Sequence, residues 1–426
     1  MPAPTAGRPR PGDIRPAAVV VATTFPAHPG DGTPEFVLTL ARAIGAFDVT
    51  VVAPRMPGAP RREEIDGVRV RRVAYFPSRW EGLAADAIMP RLRAQPWRLV
   101  EAPFLTVALL VATWREVRRC RATVVSSHWI VPAGLVALAV RAVTGVAYVV
   151  TIHGADAYTL HGRLTRRLKR RVMSRAAAVL PVSADIARAL DLGADAPVLR
   201  MGVDTRTIRA TVGERSPEPG LLVCIGRLAD KKGVDVLVDA LAQVPGARLE
   251  VIGDGPDRPA LEERVRRAGL AGRVTFRGRR SKADVLAALG RAQAVVIPSK
   301  VGAGGDMEGT PVVLCEAMAA GVPVVASELG GLGECLVDGK TGLLVPPGDA
   351  VALAGALRRV VGGDVDLDAM GRAAAEEAAR SLDIGEVGRA YGRIMTAAAN
   401  SRQAGEPGAS GLPAGDPGPV PGDGGG

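Results

Sequence analysis

A chain of 426 residues, 47% apolar and 23% charged, is long enough for two domains with separate cores, which excludes a disordered polypeptide. Its four cysteines (Cys120, Cys224, Cys315, Cys335) show no C-x-x-C spacing and no histidine neighbours, which excludes a zinc finger or disulfide framework and points to reduced thiols. The net charge of +10 is concentrated in one half: residues 17–208 hold 26 Lys and Arg against 15 Asp and Glu, and residues 209–400 hold 24 against 25. A basic half of this kind attracts nucleic acid, an anionic membrane or an acidic substrate.

Residues 1–16 and 401–426 are rich in Pro and Gly and are expected to be disordered. Between them short β-branched runs alternate with amphipathic helices, the signature of α/β layers on a parallel sheet. Residues 17–23 are the first predicted strand, and a loop bearing Gly30, Asp31 and Gly32 leads into a helix over 34–46. Such a loop lies where doubly wound sheets bind ligands, but its spacing is not G-x-G-x-x-G, so no nicotinamide or flavin site is read there.

Strands at 49–53, 68–73 and 124–127 follow, the last ending at His128, and 147–152 ends at His153-Gly154 with Asp156 close behind. His128 reads as a structural residue and His153 as a site residue. Residues 160–175 form a basic amphipathic helix. Leu160, Leu164, Leu168 and Val172 repeat at i, i+4 for packing on the sheet, and Arg163, Arg166, Arg167, Lys169, Arg170 and Arg171 cover the other faces. That basic surface is either solvated or meets phosphate head groups. No apolar run is read as long enough to span a membrane, the longest being 104–114 and 129–140. No signal peptide pattern opens the chain, so a cytoplasmic place is expected, with a peripheral one on the inner face of the cell membrane as the alternative.

The polar run 213–219 marks the domain boundary, and the alternation then restarts. Strand 221–225 runs into Gly226-Arg227, with Lys232-Gly233 opening the next helix; a forked guanidinium and a point-charge ammonium at such a turn suit a diphosphate. The P-loop pattern is absent. Strands at 249–252 and 274–276 end in Gly253-Asp254-Gly255-Pro256 and Arg277-Gly278-Arg279-Arg280. Strand 294–297 then enters a glycine loop carrying Asp306, Glu308, Gly309 and Thr310, with Thr310 as expected N-cap of a helix from Pro311. Glu308 and Glu316 stand eight residues apart across that turn, with helix-opening N–H groups between them.

With Met201-Gly202-Val203-Asp204, Glu308-Gly309-Thr310-Pro311, Glu316-Ala317-Met318-Ala319 and Gly342-Leu343-Leu344-Val345 in order, the chain resembles the family-4 retaining glycosyltransferases of the GT-B fold. The resemblance covers nearly all of 17–400 and implies an α/β architecture of two Rossmann-like doubly wound domains facing a cleft. It implies an acceptor domain over 17–212, a donor domain over 220–383 and a last helix, 384–400, crossing back to the first domain. By the same resemblance Arg227 and Lys232 would hold the diphosphate of a nucleoside-diphosphate sugar. Glu308, with Gly309 and Thr310, would meet the sugar, Glu316 the ribose, and Arg279 and Arg280 the base. His153 would face the carbon under attack. The Gly30–Asp31–Gly32 loop, with His128 and Asp156 nearby, would serve a glycan, lipid-linked or small-molecule acceptor. That loop departs from the Gly-Gly pair many members carry.

Two cations and a helix N-terminus aimed at a leaving diphosphate stabilise charge that grows in the transition state. No D-x-D carboxylate pair is placed to hold a metal, so no cofactor is expected. A sugar-nucleotide epimerase of the same fold is the alternative enzyme. A nucleic-acid-binding protein is the remote alternative, opposed by an aromatic content of 3% and by the lack of a helix-turn-helix or stacking set.

Overall fold

The computed structural model describes residues 15–28, 35–84, 88–159, 162–193 and 195–401. Among the described residues, thirteen strands build two sheets. The first contains β1 (Ala17–Val21), β2 (Asp48–Pro54), β3 (Arg62–Ile65), β4 (Val68–Val73), β5 (Val124–His128), β6 (Ala147–Ile152) and β7 (Ala178–Pro181), in the order β3-β4-β2-β1-β5-β6-β7. The second contains β8 (Leu221–Ile225), β9 (Arg248–Ile252), β10 (Val274–Gly278), β11 (Ala294–Ile297), β12 (Val324–Ser327) and β13 (Leu343–Val345), in the order β10-β9-β8-β11-β12-β13. Both are doubly wound and parallel, because runs such as Val19–Val21 and Val295–Val296 are apolar on both faces and take helices on each.

One strand departs from that reading. β3 pairs antiparallel with β4 through a turn in which Asp66 and Gly67 both have positive φ (50° and 83°), the geometry of a tight hairpin. Its sequence, Arg-Glu-Glu-Ile, has no apolar alternation and only its last residue is buried.

Helices Glu101–Arg119, Leu135–Thr144 and Arg163–Arg175 cover one face of the first sheet, and Phe36–Ala43 and Ile384–Ser401 cover the other. The Ile384–Ser401 helix comes from the far end of the chain and lies against β5, β6 and the Phe36–Ala43 helix. Two residues fix it there. Tyr391 is fully buried with its hydroxyl 2.6 Å from Ser126 Oγ and 3.1 Å from Thr151 Oγ1. Gly388 lies so close to the neighbouring helix that a Cβ would stand 2.5 Å from the carbonyl oxygen of Ala43.

Several expectations need correction. The first helix is Phe36–Ala43, shorter than 34–46. Helix Thr205–Val212, assigned from sequence to the first domain, packs on Lys282–Arg291 and Val312–Ala319 of the second, and its inward residue is Ile208. The basic helix begins at Arg163, and Leu160 lies outside the described residues. Its faces also differ from the reading: Leu164 is 70% exposed, whereas Lys169 is buried and donates to the carbonyl oxygen of Asp156. A buried carbonyl accepts that ammonium, so the buried residues of this helix are Lys169 and Val172, with Leu168 half-buried beside them. Finally, the Pro96–Arg119 segment is long and apolar enough to cross a membrane by length and composition, although it sits on the sheet here.

The Gly388 crossing yields a direct test. Gly388→Ala should destabilise the protein by about 1–3 kcal/mol, because the added methyl meets backbone that cannot retreat. Equilibrium urea unfolding measures the change, and an unaltered midpoint would show that the two helices do not meet as described.

Candidate donor and acceptor cleft

The second-domain half of the site gathers where β8 and β11 end. After β8 the chain turns through Gly226-Arg227, and a short turn, Asp230–Lys232, precedes helix Val234–Leu241. Lys232 runs past Gly226 and donates to Glu308 Oε2 at 2.7 Å. Lys231 donates to Asp306 Oδ1 at 3.1 Å and stands 3.9 Å from Glu308 Oε1. Burial raises the Glu308 carboxyl, but Lys232 and Lys231 outweigh it and hold the group below its ordinary range, so Glu308 is an anion at neutral pH. Arg227 lies half-buried at the turn.

Eight residues on, Glu316 is inside helix Val312–Ala319, buried, with Lys282 donating to its Oε1. The N-cap of this helix is Pro311; Thr310 lies one position earlier and donates its hydroxyl to the carbonyl oxygen of Val182 across the cleft. Proline has no N–H and accepts the capping geometry, which moves the helix start to Val312. Arg279 and Arg280 are exposed beyond β10, on the segment that leads to Lys282 and so toward Glu316.

The first-domain half stands at the ends of β5 and β6. His128 closes β5 and is buried, and His153 follows β6. Their rings stack at 5.4 Å between centroids with 14° between planes, and His128 Nδ1 is 3.1 Å from His153 Nε2. Phe36 and Trp129 pack on His153 at 4.7 and 5.0 Å. Burial pushes His128 down to about 3. Burial and the neighbouring His128 hold His153 well below the usual histidine value. Both rings are therefore neutral at pH 7 and share one hydrogen bond.

Asp156 lies beneath them. Its Oδ2 accepts from the Ile130 N–H at 2.8 Å, and burial pushes the carboxyl up to about 7 against the opposing influence of that N–H and of Lys169. The carboxylate thus braces the Trp129–Ile130 turn, and Lys169 ties the basic helix to the same spot.

The halves meet directly. A Cβ on Gly154 would lie 3.0 Å from Gly309 N and 3.1 Å from Met307 O, so the Glu308 loop rests directly on the residue after His153, and any larger side chain there would push it back by a few tenths of an ångström. On the other flank Glu334 accepts from the N–H groups of Ala184 and Asp185 at 2.8 and 2.7 Å. The structure therefore brings together His153, His128, Asp156, Lys232, Glu308, Gly309 and Thr310, with Arg227 beside them. Gly30, Asp31 and Gly32 lie outside the described residues. Sequence reading missed Lys282 and Lys169 as partners of Glu316 and Asp156, since nothing local marks a contact 34 or 13 positions away. Phe36 and Trp129, beside His153, were also missed; aromatic residues flanking strand ends were the available signal.

Known proteins match both halves. Residues 31–201 match the family described as "Glycosyl transferase 4-like domain", and residues 219–362 match "Glycosyl transferases group 1". The chain is 31% identical over 304 residues to the GDP-mannose-dependent alpha-(1-6)-phosphatidylinositol monomannoside mannosyltransferase of Mycobacterium tuberculosis, covering 66% of this chain and 77% of that protein. It is 29% identical over 395 residues to the glycogen synthase of the same organism, covering 87% and 91%. Among solved structures, the sucrose-phosphate synthase of Thermosynechococcus elongatus superposes with a TM-score of 0.72 at 22% identity, covering 89% of this chain and 98% of that one.

Asp156 gives a pH-dependent expectation. Its pKa rises from about 4 in an unfolded chain to about 7 here, so folding favours the protonated form. That stability is fully present below the unfolded value and is lost as pH climbs through the folded one. Asp156→Asn keeps an oxygen for the Ile130 N–H and removes the titration. The difference in melting temperature, variant minus wild type, should become more positive between about pH 5 and pH 8. A difference that does not change with pH would show that Asp156 does not titrate in that window.

Proposed function

The chain belongs to the group 1, 4-like glycosyltransferases, and from that premise we propose that it moves a hexose-type sugar from a nucleoside diphosphate to an acceptor hydroxyl with retention of configuration. The observation that carries this reading is the Lys232–Glu308 pair at 2.7 Å, set against Gly154 on the opposite domain. A diphosphate entering the cleft displaces Glu308 from Lys232. The ammonium and the Arg227 guanidinium then face the phosphates, and the freed carboxylate accepts from a sugar hydroxyl. In this reading Glu316, with Lys282 beside it, takes the ribose, and Arg279 and Arg280 take the base.

In the reaction the bond from the anomeric carbon to the diphosphate oxygen breaks, and a bond from that carbon to the acceptor oxygen forms on the same face. The acceptor's proton passes to the departing phosphate oxygen. Lys232 and Arg227 stabilise the charge developing on that phosphate, which is where preorganised donors act most strongly. No metal is required in this reading, because Lys231 and Lys232 both reach Glu308 and Arg227 stands on the same turn. His153, held neutral by burial, orients a hydroxyl and does not serve as a cationic acid. The names of the two mycobacterial relatives specify glycogen and a phosphatidylinositol monomannoside, so a glycan, a lipid-linked glycan and a small molecule are all acceptors within reach of the reading.

Lys232→Ala should lower kcat by about 100-fold or more, the size of effect seen when a group serving the developing charge is removed. Glu308→Gln should lower kcat by about tenfold or more. Both are read from donor turnover at saturating substrate, with and without a chelator, and the chelator should leave wild-type turnover unchanged. Wild-type kcat in Lys232→Ala would overturn the phosphate role. An inverted anomer in the first product, read by proton NMR, would overturn retention.

A further inference from the structure

One face of the first domain leaves an apolar surface uncovered. The turn Pro96–Val100 and the helix Glu101–Arg119 expose Trp97 (54%), Leu99 (63%), Val100, Phe104 and Val107. Trp80 joins them, since Arg98 donates to its carbonyl oxygen at 3.1 Å, and Phe104 packs on Phe76 with ring centroids 5.3 Å apart. Val100, Phe104 and Val107 recur at i, i+4, i+7, a single stripe turned away from the Leu105–Leu109–Ala112 stripe that packs on the sheet. The segment is thus held by one apolar side while presenting another, and contiguous exposed surface of this kind marks an interaction site.

The charge around the stripe selects the partner. Helices Glu101–Arg119, Leu135–Thr144 and Arg163–Arg175 contain only two acids, Glu101 and Glu116, and both are buried. Arg163, Arg166 and Arg167 are exposed at the start of the last of these helices. The Glu101–Arg119 and Arg163–Arg175 helices each lead into a strand of the parallel sheet and run against it. Their first turns therefore stand at the carboxyl ends of the strands, the end that carries His128 and His153. Exposed aromatics, aliphatics and cations consequently share one end of the domain. Arg98 and Arg79 lie over the rings of Trp97 and Trp80 at 4.4 and 4.1 Å, an arrangement that places a ring at the acyl boundary and a guanidinium at the phosphates. A second copy docking on the same face would set cations against cations. Residues 1–14 and 402–426 contain no aromatic residue and no apolar run that could lie on it.

We propose that this end of the first domain docks on an anionic lipid bilayer, with Trp97, Leu99, Phe104 and Val107 entering the interface and Arg163, Arg166 and Arg167 on the head groups. Docking brings the cleft mouth to the membrane. Its bearing on a lipid-linked acceptor rests on the proposed transferase reading, but the docking itself does not.

The test is co-sedimentation of the full chain with vesicles of phosphatidylcholine alone or mixed with phosphatidylglycerol, at low and high salt and without donor. The wild type should pellet with the phosphatidylglycerol vesicles at low salt, with tryptophan emission shifted to the blue. Trp97→Ser/Phe104→Ser should lower binding by about tenfold or more, as loss of two buried apolar side chains requires. Leu99→Gln/Val107→Gln on the same face should show a similar loss. Arg163→Gln/Arg166→Gln/Arg167→Gln should weaken binding and flatten its salt dependence. Unchanged thermal stabilisation by nucleoside diphosphate in these variants reports an intact fold and keeps the donor reading separate. Wild-type protein left in the supernatant with both vesicles at both salts overturns the proposal. So does equal pelleting by the apolar variants, or a dimer in solution that those variants dissolve.

Discussion

A buried carboxylate requires a cation within reach, and the contact of Glu308 with Lys232 and Lys231 satisfies that requirement at the centre of the molecule. The loop that carries Glu308 is drawn toward the turn after β8, and the same loop rests on Gly154 of the other domain. One ion pair therefore joins the turn after β8 to the loop that meets the first domain at Gly154. In the proposed reading it is also the contact that a diphosphate would break, by competing with the carboxylate for the same ammonium.

The rest of the fold keeps the two sides of that contact in place. Parallel strands end together, so His128 and His153 arrive at adjacent positions from β5 and β6, as Gly226 and Pro298 do from β8 and β11. The Ile384–Ser401 helix closes the first sheet from the far end of the chain, with the Tyr391 hydroxyl between Ser126 and Thr151, each two residues before one of the site histidines. Asp156 and Lys169 brace the loop beneath them. Burial leaves the histidines neutral, and the two lysines that reach Glu308 come from the second domain.

The second-domain half of the candidate site was the more legible in the sequence because its signals are local. Gly226-Arg227, Lys232-Gly233 and Glu308-Gly309-Thr310 each sit on one strand–loop–helix connection, where glycine, capping residues and charge carry meaning over a few positions. What escaped was non-local. The Lys232–Glu308 bond spans 76 positions, and nothing in either neighbourhood announces it. The inward turn of Lys169 was also hidden, since a lysine among arginines reads as surface until the Asp156 carbonyl is known to face it. β3 escaped because Arg-Glu-Glu-Ile lacks alternation, although the Asp66-Gly67 pair was a usable hairpin signal. The span of Pro96–Arg119 was read too short because Pro103 and flanking arginines interrupt the run, whereas the helix continues through them.

The central claim is that Glu308 occupies the ammonium a diphosphate must take. Calorimetric titration of wild type and Glu308→Gln with free nucleoside diphosphate tests it most directly. The variant removes the competing carboxylate and its repulsion of the ligand while keeping side-chain size, so the account predicts a lower Kd than that of wild type. A Kd equal to or higher than the wild-type value would contradict it, and would mean that the Lys232–Glu308 pair is a structural bridge standing apart from the donor.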